Sequence, residues 1–134
     1  MSSLLISSRT GALVAFGTTL FGKAYMSFGH RVREVLMGKK NYQAHLQSDN
    51  YKMDSRTQLN EAEYGPWICA TLLYLASQGV DAKLGTTLAC LGNTGYLVFR
   101  LSFGVKVWNT SPFAATRYCG LMLLGKALYD VLNA

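Results

Sequence analysis

The sequence predicts an all-α protein, an integral membrane bundle of four helices. Three observations carry this expectation. Half of the 134 residues are hydrophobic and only 15% are charged, against about 25% in ordinary soluble domains. Four apolar stretches recur along the chain, at about 10–28, 65–77, 84–103 and 112–132, and the longer ones reach the length that crosses a bilayer. A polar, basic stretch at 29–55 separates the first two. The length suits one domain, 1–134.

Residues 1–9 are Ser-rich with a single charge, Arg9. No small-residue cleavage site follows the first apolar run, so that run is read as retained. From Thr10 to Phe28 it is rich in Gly and Thr, the small residues that let membrane helices pack closely. Lys23 lies near its end, where the side chain can snorkel to the interface.

The 29–55 stretch reads as a long loop carrying His30, Arg31, Arg33, Lys39, Lys40, His45 and Lys52 against Glu34, Asp49 and Asp54. His30 and His45 stand far apart in sequence and read as solvated, not as a metal site. The net charge is +6, but the basic residues gather in this one loop instead of spreading over an aromatic-studded surface, which argues against nucleic-acid binding. Arg31 and Arg33 directly follow the first apolar run. They suit contact with an anionic lipid or a topology signal.

Pro66, in the second apolar run, is expected to kink that helix or mark its entry into the membrane. The connection at 78–83 is short, so the second and third helices should be antiparallel neighbours. The third contains Asn93 and Arg100, the latter either snorkelling or paired inside a bundle. A brief loop at 104–111 offers Trp108 as an interface anchor beside Lys106. Pro112 opens the fourth helix, a favourable place for proline, and Arg117, Tyr118, Lys126 and Tyr129 lie within it. Cys69, Cys90 and Cys119 all fall in apolar runs and form no metal-ligand or disulfide pattern; each reads as a packing residue. Counting Lys and Arg places the 29–55 loop on the cytosolic side.

The chemistry concentrates in Asp54-Ser55-Arg56-Thr57-Gln58-Leu59-Asn60-Glu61-Ala62-Glu63-Tyr64-Gly65-Pro66-Trp67. On a helix, Arg56, Asn60, Glu63 and Tyr64 share one face. The stripe offers a guanidinium, an amide, a carboxylate and a phenol, a set that suits a zwitterion: Arg for its carboxylate and Glu for its ammonium. The alternative is a solvated helix start with self-satisfying charges.

Arg56, Gln58, Asn60, Glu63, Tyr64 and Pro66, entering an apolar helix, resemble the signature of the membrane-associated proteins in eicosanoid and glutathione metabolism (MAPEG), which include the microsomal glutathione transferases. The resemblance implies a homotrimer in the endoplasmic reticulum or in a mitochondrial or plastid membrane. Glutathione would bind as co-substrate between subunits near the cytosolic face, and a lipophilic substrate would arrive from the lipid. Arg56, Gln58, Asn60, Glu63 and Tyr64, with Arg31, would hold the tripeptide, Glu63 meeting its amino group. One departure stands out. Several family enzymes carry an Arg just before the proline that opens the fourth helix, where it stabilises the glutathione thiolate; here those residues are Asn109-Thr110-Ser111. Ser102, Thr110 or Ser111 could supply a hydroxyl instead, and Arg100 or Arg117 a charge. The sequence therefore implies a membrane glutathione transferase or peroxidase, with a catalytically silent accessory subunit of a larger membrane assembly as the alternative.

Overall fold

The computed structural model describes residues 4–103 and 111–134. The expectations at Lys106, Trp108, Asn109 and Thr110 fall outside them. The protein is all-α, with no strand among the described residues. Helix α1 (Ser8–Ala24) passes through a π-helical segment (Tyr25–Gly29) into α2 (His30–Met37); α3 (Lys39–Leu46), α4 (Asp49–Ser77), α5 (Lys83–Phe103) and α6 (Ser111–Leu132) follow.

Local chemistry sets the helix ends. Ser7 and Ser48 cap α1 and α4, accepting from the backbone N–H groups of Thr10 at 3.2 Å and Tyr51 at 3.3 Å. At the end of α4, Gly79 takes a φ of +71°. There the Val80 N–H reaches back to the Leu75 carbonyl at 2.9 Å and that of Gly79 to Ala76 at 3.1 Å. This closure satisfies two terminal carbonyls and needs the left-handed conformation that glycine supplies. It makes the expected short connection to α5. The amino-terminal segment is tied to the same corner, since the Ser8 N–H donates to Asp81 Oδ1 at 2.8 Å.

The four long helices run up and down. Along α1, Gly11 meets Leu72 and Thr86, whereas Gly22 meets Gln58 and Leu97, so α1 is antiparallel to α4 and parallel to α5. Gly85, Gly92 and Gly95 of α5 meet Leu124, Arg117 and Phe113 in that order, so α6 is antiparallel to α5. The apolar core is small: Ala12, Ala15, Ile68, Leu72, Leu75, Ala89, Cys90 and Leu124. The three cysteines are free; Cys90 is buried, Cys69 half-buried and Cys119 exposed.

Two expectations need correction. The stretch 29–55 is not a loop: α2, α3 and the first two turns of α4 occupy most of it, with Gly38 at a φ of +80° as the break between α2 and α3. Its charges lie on helix faces, so composition alone misread it. Nor is His30 solvated. It is buried at 5% exposure, 5.6 Å ring to ring from His45 and 4.8 Å from Tyr51. The fold brings together histidines that the sequence separates. α4 also runs on through Pro66, whose missing N–H leaves the Ala62 carbonyl without its helical donor.

No helix among the described residues is both long and apolar enough to cross a membrane. Some of the residues that lower the hydropathy of these helices face inward, while Lys23, Arg56, Glu63, Lys126 and Asp130 are exposed. Thr18, Thr57, Gln58, Glu61, Thr86, Asn93 and Arg117 are buried, while Leu13, Phe16, Leu20, Trp67, Leu73, Leu91 and Met122 are exposed.

Candidate functional site

One stripe of α4 is buried along its length: Asp54, Thr57, Gln58 and Glu61 in the polar half, then Gly65, Ile68, Leu72 and Leu75 in the apolar half. The spacing is helical throughout; only the chemistry changes. Because Glu61 lies on this inward stripe, Asn60, Glu63 and Tyr64 are turned away from α1. Arg56 and Glu63 are exposed, and Asn60 and Tyr64 are half-buried. The expected stripe of Arg56, Asn60, Glu63 and Tyr64 therefore exists on the helix surface. Gln58 does not join it: it is buried at 8% exposure, with Cγ beside Gly22 of α1. Arg31 is exposed on α2.

Helix α6 completes the stripe. Arg117, 2% exposed, donates from Nη1 to Asn60 Oδ1 at 3.0 Å and to Asn93 Oδ1 at 3.4 Å. Its guanidinium carbon lies 3.7 Å from the centre of the Tyr64 ring and 5.0 Å from that of Tyr96. A cation between two aromatic faces is held by their quadrupoles as well as by hydrogen bonds. The next residue, Tyr118, shares a 2.5 Å hydrogen bond with the Tyr64 hydroxyl. In such a phenol pair one O–H donates to the other oxygen, and the accepting phenol keeps its own proton to offer outward.

Beneath this layer Glu61, 1% exposed, accepts at Oε1 from Thr19 at 2.8 Å and from Asn93 Nδ2 at 3.4 Å. Asn93 thus bridges the buried carboxylate and the buried guanidinium, with its carbonyl towards Arg117 and its amide towards Glu61. Glu61 Oε2, Gln58 Nε2 and Arg117 Nε are buried without a hydrogen-bond partner among the described residues. Sequence reasoning passed over Glu61 and left Arg117 unplaced. The readable signal was the continuation of the apolar stripe of α4, at the same spacing, back through Glu61, Gln58 and Asp54.

A second polar cluster sits where α2 and α3 fold against α4. Arg33 donates to the Tyr25 hydroxyl at 3.2 Å and approaches His45 Nε2 at 3.3 Å and Asp54 Oδ2 at 4.0 Å. Burial holds the Asp54 carboxyl above its ordinary value, partly offset by Arg33, the Tyr25 hydroxyl and His45. Burial, with the charges of Arg33 and His45, holds the His30 imidazole below its ordinary 6.5. The folded state therefore disfavours the protonated ring. Below pH 6.5 the unfolded chain binds this proton more readily, so the His30 contribution to stability falls with pH until the folded-state value is passed. Thermal unfolding followed from pH 8 to pH 5 is expected to show a midpoint that falls relative to that of His30→Phe. The raised Asp54 carboxyl works in the opposite direction in both proteins, so the difference isolates the imidazole. A difference that stays constant with pH would exclude His30 as its source.

Comparison of the chain with protein-family models, with curated proteins and with solved structures finds no match.

Proposed function

We propose that the chain is a membrane-embedded, glutathione-binding transferase or peroxidase acting on lipophilic electrophiles, and that it works as a homotrimer in the endoplasmic reticulum or an organelle membrane. The observation that carries this reading is the outward stripe of α4, Arg56, Asn60, Glu63 and Tyr64, backed by Arg117. Arg56 suits a glutathione carboxylate and Glu63 its ammonium. Arg117, one of the two arginines named as an alternative source of charge, supports the reading. The family's cation before the fourth-helix proline is missing here, and a buried guanidinium two turns further along α6 lies against the same stripe. It acts as a positioning residue. It orients Asn60 and Tyr64, and its field favours negative charge at the surface of the Tyr64–Tyr118 pair.

In the proposed reaction the thiol proton of glutathione passes to solvent. The free O–H of the phenol pair donates to the thiolate, and the sulfur forms a bond to the electrophilic carbon as the leaving group departs with its electron pair. The reaction needs no resident cofactor beyond the tripeptide.

Membrane residence is supported by the distribution of side chains. Phe16, Trp67 and Met122 are 61%, 70% and 76% exposed, while Glu61, Asn93 and Arg117 are nearly fully buried. In water such an outer surface would be an association hazard; against lipid it is the favourable arrangement, with Glu61 and Arg117 turned into the bundle. Lys23 is exposed near the end of α1, the position expected for snorkelling.

Calorimetric titration of the detergent-purified protein with glutathione tests the proposal. Saturable binding is expected, weakened roughly tenfold to hundredfold by Arg56→Ala or Glu63→Ala, the range for hydrogen bonds to charged groups. Absence of binding by the intact protein would sink it. Binding without turnover of a generic electrophile, with co-purifying chains, would favour the silent accessory subunit.

A further inference from the structure

We infer that the chain carries a second, separate site, for a phosphate-bearing ligand, in the cleft between the π-helical end of α1, the start of α4 and the end of α5. The inference does not rest on the glutathione reading. The cleft has a volume of about 310 Å³ and is lined by Arg33, His45, Asn50, Asp54, Arg100 and Ser102 among others. That volume lies at the small end of ligand pockets and suits a single headgroup or small ester.

The charges in the cleft do not balance. Among the described residues Arg33 has one acidic partner in ion-pair range, Asp54, at a loose 4.0 Å. Arg100 has none in ion-pair range among the described residues. Its guanidinium carbon lies 5.2 Å from the centre of the Tyr96 ring, and its Nε is buried with no hydrogen-bond partner. A partly buried guanidinium lacking both counter-charge and acceptor is costly, and an anion in the cleft would remove that cost.

Geometry selects the class of anion. Two guanidinium groups and an imidazole converge from three elements, and the Asn50 amide and Ser102 hydroxyl add neutral donors. A planar carboxylate is satisfied by one guanidinium fork. A tetrahedral phosphate carries up to two charges and accepts from several directions, which matches this lining. The cleft neighbours the signature stripe, since the Tyr96 ring lies 5.2 Å from Arg100 and 5.0 Å from Arg117, but its lining includes none of Arg56, Asn60, Glu63 and Tyr64. Asn60 and Tyr64 turn toward α6, whereas Asp54 lies on the buried stripe of α4 and accepts from Tyr25 in the π-helical segment at 3.4 Å.

The shared chemistry is a phosphate group, whether free or on a lipid, and titration separates the sources. Inorganic phosphate and short-chain phosphatidic acid are titrated into the purified protein, with short-chain phosphatidylcholine as the zwitterionic control. Saturable binding of phosphate or phosphatidic acid is expected, and the tighter of the two identifies the source. Arg100→Gln is expected to weaken it roughly tenfold to hundredfold. Lys83→Gln, which removes one positive charge at the opposite end of α5, is expected to leave it unchanged. Ser102 is exposed, so Ser102→Asp puts a negative charge at the cleft without disturbing the bundle and should abolish binding even if Arg100→Gln folds poorly. Saturation by neither phosphate ligand would overturn the assignment. So would binding insensitive to both variants, or phosphate displaced stoichiometrically by glutathione.

Discussion

Arg117→Met is expected to destabilise the protein by about 3 kcal/mol, the upper range for losing hydrogen bonds to a buried charged group. The substitution keeps most of the side-chain volume, so the loss reports chemistry more than a cavity. It strips Asn60 Oδ1 and Asn93 Oδ1 of their donor, removes the cation stacked on Tyr64, and takes away one of the two cations whose charge reaches the buried Glu61, Lys23 being the other. Arg117→Lys should recover little, because an ammonium cannot present the planar fork that reaches both amides while lying against an aromatic face. Glu61→Gln in the Arg117→Met background should recover part of the loss, since it removes the unbalanced charge. Thermal or denaturant unfolding, in one detergent, of the native chain, Arg117→Met, Glu61→Gln and the double variant measures the cycle. A cost below about 1 kcal/mol for Arg117→Met, the level of an exposed pair, would show that the network does not hold the bundle together.

The second large effect is expected where α5 and α6 cross. A Cβ on Gly92 would run into the backbone of Arg117, and one on Gly120 into the backbone of Ala89. Main-chain atoms in two packed helices cannot move aside as a flexible side chain can. Gly120→Val should therefore force the helices apart at a cost of about 3 kcal/mol or more, the upper range for overpacking. The separation would also pull Arg117 and Tyr118 away from the α4 stripe, so ligand binding at the stripe should weaken along with stability. Gly125, one turn further along α6, has nothing within 4 Å of where its Cβ would stand. Gly125→Ala is accordingly expected to stabilise the protein by about 0.5–1 kcal/mol, through the lower entropy of the unfolded chain and the better helix propensity of alanine. A Gly120→Val variant as stable as the native chain would exclude the close crossing.

Much of this architecture is written in local patterns. The all-α class, the order of the four long helices, the tight connection after Ser77 and the common face of Arg56, Asn60, Glu63 and Tyr64 follow from residue spacing, because a helix is a short-range periodic object. What the polar residues do inside the bundle was not legible in that way. Hydropathy treats Glu61, Asn93 and Arg117 as interruptions of apolar helices, yet they form the buried contact between α1, α4, α5 and α6. The stretch 29–55 looked like a loop because its composition is polar, although its two short helices need only one face covered. His30 and His45 are fifteen positions apart in the chain, and only the packing of α2 and α3 against α4 sets their rings side by side.

The sequence by itself thus determined the helices, their order and the outward chemistry of α4, since each depends on residues within a few turns of one another. The tertiary structure alone decided which cation backs that stripe, which carboxylate is buried and where two arginines share a cleft. Each of those depends on side chains from different helices meeting at hydrogen-bonding distance, and no spacing along one helix encodes that.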